Sequence, residues 1–158
     1  MPRLALPIAA ALSLLFAAPA GAETMSAGSR FELWNDCRAI DLVVESATGG
    51  GAGIGLTERA IAAQLRARLG AAGLYDPEGL AYLDIRASVV GPAFHVSVEF
   101  RKPLRDPASG EEGLAATWIS GSTGTHGGDP GYVLASASGH AEGFVEQYLR
   151  VNAPACKR

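Results

Sequence analysis

Beyond its first 22 residues, the sequence lacks any apolar run long enough to cross a bilayer, and it is short of positive charge. It carries 13 Lys and Arg side chains against 16 Asp and Glu side chains. Nucleic acids and anionic membrane surfaces are bound by clustered basic side chains. The composition therefore excludes nucleic acid as an expected partner and predicts no integral membrane segment in the mature chain.

Cysteine and histidine are too few and too scattered to predict a metal or redox site. The two cysteines have no CxxC spacing and no histidine beside them, and the three histidines lack HxxxH or HxH spacing. A zinc site encoded in local sequence needs such spacings, and a reactive thiol pair is commonly CxxC. The sequence therefore implies no metal ion.

Glycine is abundant, but the glycine-rich segments lack the residues that phosphate-binding and acyl-transfer motifs need. The pair Gly127-Gly128 is followed by an acid and a proline, where a Walker-type loop places lysine and Ser or Thr. No GxGxxG fingerprint follows the first predicted strand, and no GxSxG nucleophile elbow occurs. The sequence therefore implies no cofactor, and a non-enzymatic protein is favoured over an enzyme.

The first 22 residues have the pattern of a secretory signal peptide. Arg3 gives a positive start, residues 4–18 are apolar, and residues 20–22 are small. This arrangement is typical of a segment that signal peptidase removes. The sequence thus predicts cleavage before Glu23 and export to the periplasm. Removing 22 of the 158 residues leaves a mature chain of 136, the size of a single domain spanning 23–158.

The two cysteines, Cys37 and Cys156, lie near opposite ends of the mature chain. In an oxidising exported compartment such a pair predicts a disulfide, and only one intramolecular pairing is possible. Closing so long a loop restricts the unfolded chain, which the loop-entropy account values at about 4–5 kcal/mol. We therefore expect a structural disulfide that joins the two ends of the domain.

Residue periodicity predicts four strands and two helices. The predicted strands are residues 40–45, 82–90, 94–101 and 114–120. A first helix begins after the N-cap Thr57 and ends near Gly73. A second begins at Asp129 and Pro130 and ends at Pro154. The order β-α-β-β-β-α predicts an α+β domain, with a four-stranded mixed sheet and two helices on one face.

The polar side of the predicted sheet concentrates charged residues. Its members alternate with the core positions of two strands: Asp84, Arg86, His95, Ser97, Glu99 and Arg101. Opposite charges on neighbouring strands stabilise a sheet, so we interpret these carboxylates and Glu45 as partners of the arginines rather than as catalytic acids. His95 is expected to be solvated there. His140 lies on the apolar stripe of the last helix and is expected to be packed and hydrogen-bonded.

The segment ISGSTGTHGGDPGY, residues 119–132, is the one stretch whose role the pattern leaves open. It is interpreted first as a connection between the last strand and the last helix. Alternatively it binds a small ligand or an anion, because backbone N–H groups at a helix start attract anions. The candidate ligand-binding residues of the loop 121–129 are Ser122, Thr123, Thr125 and His126. Asp129 would compete for the same donors, which favours the connection.

Several stretches of the mature chain resemble a family of small exported bacterial proteins of unknown function. The similarity runs from WNDC at 34–37 to VNAPAC at 151–156 and includes both cysteines. Between them the similar stretches are IGLTE (54–58), LYD (74–76), VEFRK (98–102), TWISGSTGTHG (117–127) and YLRVN (148–152). The resemblance implies a Gram-negative periplasmic setting and brings no activity, substrate or catalytic residue with it.

The function predicted first is a non-enzymatic exported domain that binds a protein partner, such as an envelope protein, or stabilises an envelope assembly. The expected contact surface is the polar sheet face or an unpaired edge strand. The competing prediction is the small-ligand or anion site of residues 121–129. The fold alone does not distinguish these two predicted functions, because one fold supports many functions.

Overall fold

The computed structural model describes residues 26–157, apart from the side chains of residues 46–49. The predicted signal peptide, residues 1–22, and its cleavage site lie outside the described residues. In chain order the elements are α1 (Ala27–Leu33), β1 (Asp41–Gly49), a 3-10 helix (Gly50–Ile54), α2 (Glu58–Ala71), β2 (Tyr82–Val90), β3 (Ala93–Arg105), β4 (Glu112–Thr125) and α3 (Gly131–Cys156). The predicted α+β class and element order are confirmed, and the short α1 is an addition to them.

The four strands form one mixed sheet in the order β1-β2-β3-β4. β1 and β2 are parallel, whereas β2–β3 and β3–β4 are antiparallel. Parallel neighbours need a long crossover, which α2 supplies, and antiparallel neighbours need only a tight turn. Both turns contain a glycine with a left-handed backbone, Gly91 at φ +57° and Gly110 at φ +76°. The predicted hairpins therefore form where glycine permits them.

Helix α2 begins and ends at the residues that the sequence predicts. The Thr57 hydroxyl accepts a hydrogen bond from the Ala60 N–H at 3.1 Å, which satisfies one free donor of the first turn. After the last turn, Gly73 adopts φ +68°, and the N–H of Leu74 donates to the carbonyl of Leu69 at 2.8 Å. These bonds satisfy groups that a helix end would otherwise leave unpaired.

The core lies between one face of the sheet and helices α2 and α3. Alternate residues of β2 and β3 are buried there, together with one stripe from each helix. At its centre four aromatic side chains pack with ring centroids 5.2 to 5.8 Å apart, namely Phe100, Trp118, Phe144 and Tyr148. Burying each side chain of this size contributes about 1.5–3 kcal/mol, so this cluster is a main source of stability.

Strand β4 continues to Thr125, and the prediction that it ends at residue 120 is wrong. Two glycines make the added segment look like a loop in the sequence, yet the sheet requires them. A Cβ atom at Gly121 would lie 2.7 Å from a backbone oxygen of β3, and one at Gly124 would lie 2.8 Å from the ring of Phe94. The glycines thus allow β3 and an aromatic ring to approach closely within the sheet.

The start and end of α3 both differ from the prediction. Its N-cap is Pro130 rather than Asp129, whose carboxylate instead accepts a hydrogen bond from the Gly131 N–H at 2.7 Å. The helix also passes Pro154 and ends at Cys156. Proline in the final turn removes only one helical hydrogen bond, and the disulfide ties this turn to the rest of the protein.

The predicted disulfide between Cys37 and Cys156 is present, with Cα atoms 5.1 Å apart. One turn earlier in α3, Asn152 is fully buried and uses all of its hydrogen-bonding capacity. Its Oδ1 accepts from the N–H groups of Asn35 and Cys37 at 2.9 and 3.2 Å. Its Nδ2 donates to the Leu33 carbonyl and to a carbonyl of α3, both at 2.9 Å. The segment after α1 is therefore held covalently and by hydrogen bonds.

Helix α1 is fixed at its C-terminal end by the buried Lys102 of β3. The Lys102 ammonium donates to the carbonyls of Phe31 and Trp34 at 2.5 and 2.8 Å. Burial lowers the pKa of Lys102, and the two carbonyls compensate for the lost hydration. The Thr117 hydroxyl of β4 donates to the Glu32 carbonyl at 2.6 Å. α1 thus contacts the N-terminal half of β4.

Candidate interaction surface

The side of the sheet opposite α2 and α3 has no helix packed on it in the described part of the chain. Residues paired across neighbouring strands lie on the same face, so the strand register defines this surface, which we call the open face. Its residues are Asp41, Val43, Glu45, Tyr82, Asp84, Arg86, Ser88, Val90, Ala93, His95, Ser97, Glu99, Arg101, Ala116, Ile119, Gly121, Thr123 and Thr125. The six residues predicted to share the polar face are all among them, which confirms that prediction.

An ion-pair network occupies the middle of the open face. The Asp84 Oδ2 accepts a hydrogen bond from Arg86 Nη2 at 2.9 Å and lies 3.2 Å from Arg101 Nε. Arg86 Nε lies 2.9 Å from a Glu45 carboxylate oxygen, and Arg101 Nη2 donates to Glu99 at 2.7 Å. The predicted cross-strand pairing is confirmed for Glu45 with Arg86 and for Asp84 with Arg101, whereas Glu99 is held by Arg101 of its own strand. The network carries one net negative charge.

Asp84 is the buried centre of this network, with a relative exposure of 2%. Its Oδ1 has no hydrogen-bond partner among the described residues. Burial raises the pKa of the Asp84 carboxyl, while the positive charges of Arg86 and Arg101 act in the opposite direction. The neighbouring Asp84 charge in turn raises the pKa of Arg86. The arginines thus offset part of the cost of burying this carboxylate.

A shallow hollow of about 360 Å³ lies beside the network. Its walls include Glu45, Arg86, His95, Ser97 and Glu99. The exposed His95 is hydrogen-bonded through Nδ1 to the Thr123 hydroxyl at 3.2 Å, in agreement with the prediction of a solvated histidine. This volume is at the lower end of the range for small-molecule pockets. The hollow therefore has room for a small molecule or for a single side chain.

The four predicted ligand-binding residues do not converge on one site. Ser122 points to the helix side, where its hydroxyl lies 2.7 Å from that of Ser136. Thr123 and Thr125, the last residue of β4, lie on the open face, and His126 is buried in the following turn. The prediction of a loop is wrong for residues 121–125, because they are the last strand residues of the sheet. Ligand or anion binding by these residues stays a prediction.

His126 is a structural link between two turns. Its Nε2 donates to the Gly91 carbonyl at 2.8 Å, and its Nδ1 accepts from the Gly128 N–H at 2.9 Å. The two bonds fix the neutral tautomer that carries its proton on Nε2. The His126 N–H also donates to the Pro92 carbonyl at 3.1 Å. Both ring nitrogens are used within the protein, so this side chain joins the β2–β3 turn to the start of α3.

His140 is half-buried and hydrogen-bonded, as predicted, but sequence reasoning missed its partners. Its Nδ1 lies 2.8 Å from the Ser120 hydroxyl, and its Nε2 lies 2.9 Å from the Ser122 hydroxyl. Two sequence patterns could have indicated these partners. Serines alternate in β4, and Ser136 and His140 have the i, i+4 spacing that places them on one side of α3. No carboxylate orients His140 within the described residues, and such a third group is what a catalytic triad adds to a serine and a histidine.

Comparison with protein-family models, with curated proteins and with solved structures finds no match to this chain. Between residues 26 and 157, no group of three or more metal-ligating side chains comes together. Within the same range, no helix combines the length and the apolar character needed to cross a membrane. The interpretation of the open face therefore rests on its own residues.

Proposed function

We propose that this protein is an exported, non-enzymatic periplasmic domain that binds an envelope protein through the open face. The observation that carries the proposal is the ordered network around the buried Asp84, on a sheet face that no described helix covers. Family membership among the small exported bacterial proteins that it resembles is part of this proposal, and so is its periplasmic location.

The geometry of the open face favours recognition of a protein surface. Val43 and Ile119 are 38% and 63% exposed and lie on the two outer strands, on either side of the network. A partner can therefore make apolar contacts at both margins and charged contacts at the centre. Because the arginines already hold their carboxylates, less side-chain freedom is lost on binding. The net negative charge and the hollow between Glu45 and Glu99 suit a basic side chain of the partner.

Photo-crosslinking tests the proposal with one probe on each side of the molecule. A photoreactive amino acid replaces His95 on the open face, and in a second protein it replaces Ala67, which is exposed on α2. The expected result is a discrete crosslinked product in the periplasm from position 95 and none from position 67. Equal crosslinking from the two positions would contradict an open-face partner.

Export can be tested on the protein isolated from cells. N-terminal sequencing is expected to begin at Glu23, because residues 20–22 form the small-residue cleavage pattern. Thiol labelling under denaturing conditions is expected to find no free thiol, since Cys37 and Cys156 form the disulfide. An intact N-terminus together with two free thiols would contradict export to an oxidising compartment.

A further inference from the structure

The outer edge of β4 is a second surface that the proposed function does not use. Among the described residues, β4 has β3 as its only strand neighbour, because it ends the sheet. α1 meets β4 at Thr117, and beyond that residue Ile119, Gly121, Thr123 and Thr125 are exposed. We call residues 119–125 the β4 edge. Their outward backbone N–H and C=O groups form a template to which another strand can bind.

The β4 edge lacks the features that protect an exposed edge strand. Proteins keep such edges apart with charged side chains, proline or bulges. Residues 113–125 contain no charged residue and no proline, and the single register irregularity of β4 lies before the β4 edge. Strand β1, at the opposite edge, carries Asp41 and Glu45 and has an irregular register between Glu45 and Thr48. One edge is therefore protected and the other is not.

We propose that the β4 edge pairs antiparallel with the β4 edge of a second copy, which forms a dimer with one continuous sheet. A two-fold axis brings the same short segment of both copies together, so this segment must carry no charge that would be brought near the same charge of the second copy. An uncharged segment meets this requirement. Pairing also covers part of Ile119, whose side chain is 63% exposed in the single chain. A different partner with a charged strand would gain no complementary charge here.

This dimer goes beyond the open-face proposal and does not depend on it. Paired strands lie about 4.8 Å apart in the plane of the sheet, so edge pairing covers only the margin at Ile119 and leaves the rest of both faces uncovered. The dimer would present two open faces side by side on one surface. Loss of the dimer and loss of the crosslink at position 95 are consequently separate results.

Sedimentation equilibrium on the purified protein tests the dimer. The protein is expected to reach twice the mass of one chain as its concentration rises. Antiparallel pairing of this segment with itself places Ile119 opposite Thr125 of the second copy. Ile119→Lys is expected to raise the dissociation constant about tenfold or more, because an ammonium group then replaces an apolar side chain beside the partner strand. Thr125→Lys is expected to raise the dissociation constant of the dimer as well. The matched control is Val43→Lys, which places the same charge on the exposed open-face side of the opposite edge strand.

Hydrogen exchange of the unmodified protein gives a second readout that needs no variant. Amides of residues 119–125 are expected to exchange more slowly at high protein concentration, while amides of β1 do not change with concentration. A single-chain mass at all concentrations would overturn the proposal. A dimer that Val43→Lys weakens as much as Ile119→Lys does, or one with no protection of the β4 edge, would overturn it as well.

Discussion

The two faces of this sheet are made by the same strands and have opposite chemistry. On the covered face, Ile85 and Val98 are paired across β2 and β3 and are both fully buried in the core. Asp84 precedes Ile85 in β2, and Glu99 follows Val98 in β3. These two carboxylates are paired on the open face, and each forms an ion pair with an arginine. The alternation of a strand therefore places the apolar core on one face and an ion-pair network on the other.

The comparison predicts that the two faces respond differently to loss of an apolar side chain. Phe144→Ala removes a fully buried ring from the aromatic cluster and is expected to cost about 3–5 kcal/mol of unfolding free energy. Ile119→Ala on the open face is expected to change it by less than about 0.5 kcal/mol, because that side chain is mostly in solvent. Urea unfolding of both variants checks this, and equal losses would break the distinction between the faces.

On the open face, we expect the stability of the protein to depend on ion pairs rather than on apolar packing. Arg101→Ala leaves Asp84 and Glu99 without one of their cations and is expected to cost about 1–2 kcal/mol. Arg150→Ala is the matched control, because Arg150 is exposed on α3 and is expected to change stability by less than about 0.5 kcal/mol. Thermal or urea unfolding of the two variants is the measurement. An Arg101→Ala protein as stable as the control would contradict a stabilising network.

The smallest expected effect is the pH dependence that Asp84 contributes. Burial raises the pKa of Asp84 in the folded protein, so between the ordinary and the raised pKa the folded state binds more protons than the unfolded state. Stability from this group is consequently present at low pH and is lost as the pH rises through the folded pKa. Asp84→Asn cannot titrate. The difference in unfolding free energy, wild type minus Asp84→Asn, is therefore expected to decrease with rising pH, and an increase would contradict it.

The sequence was sufficient for the elements whose local pattern agrees with their place in the fold. The alternation in β2 and β3 identifies both faces, because buried and exposed residues differ at every second position. Thr57 and Gly73 mark the ends of α2, because capping is a local interaction. The disulfide could be predicted from the cysteine count and from the predicted export, since only one pairing exists within the chain.

The remaining features depend on contacts between distant residues. The end of β4 was hidden because Gly121 and Gly124 are required by β3 and by Phe94, which a local pattern does not show. α1 depends on Lys102, far along the chain, which binds its last carbonyls. The candidate ligand-binding residues are kept apart by the sheet as well. Neighbouring strand residues lie on opposite faces, as Ser122 and Thr123 do.

The most direct test of the open-face account measures the crosslink from position 95 in two further backgrounds. Ser97→Arg places a long charged side chain in the middle of the open face, and Ala63→Arg places the same side chain on the exposed surface of α2. Both variants should retain the melting temperature of the parent protein. If the partner binds the open face, Ser97→Arg abolishes the crosslinked product and Ala63→Arg leaves its yield unchanged. Equal yields in the two backgrounds would contradict the open face as the contact surface.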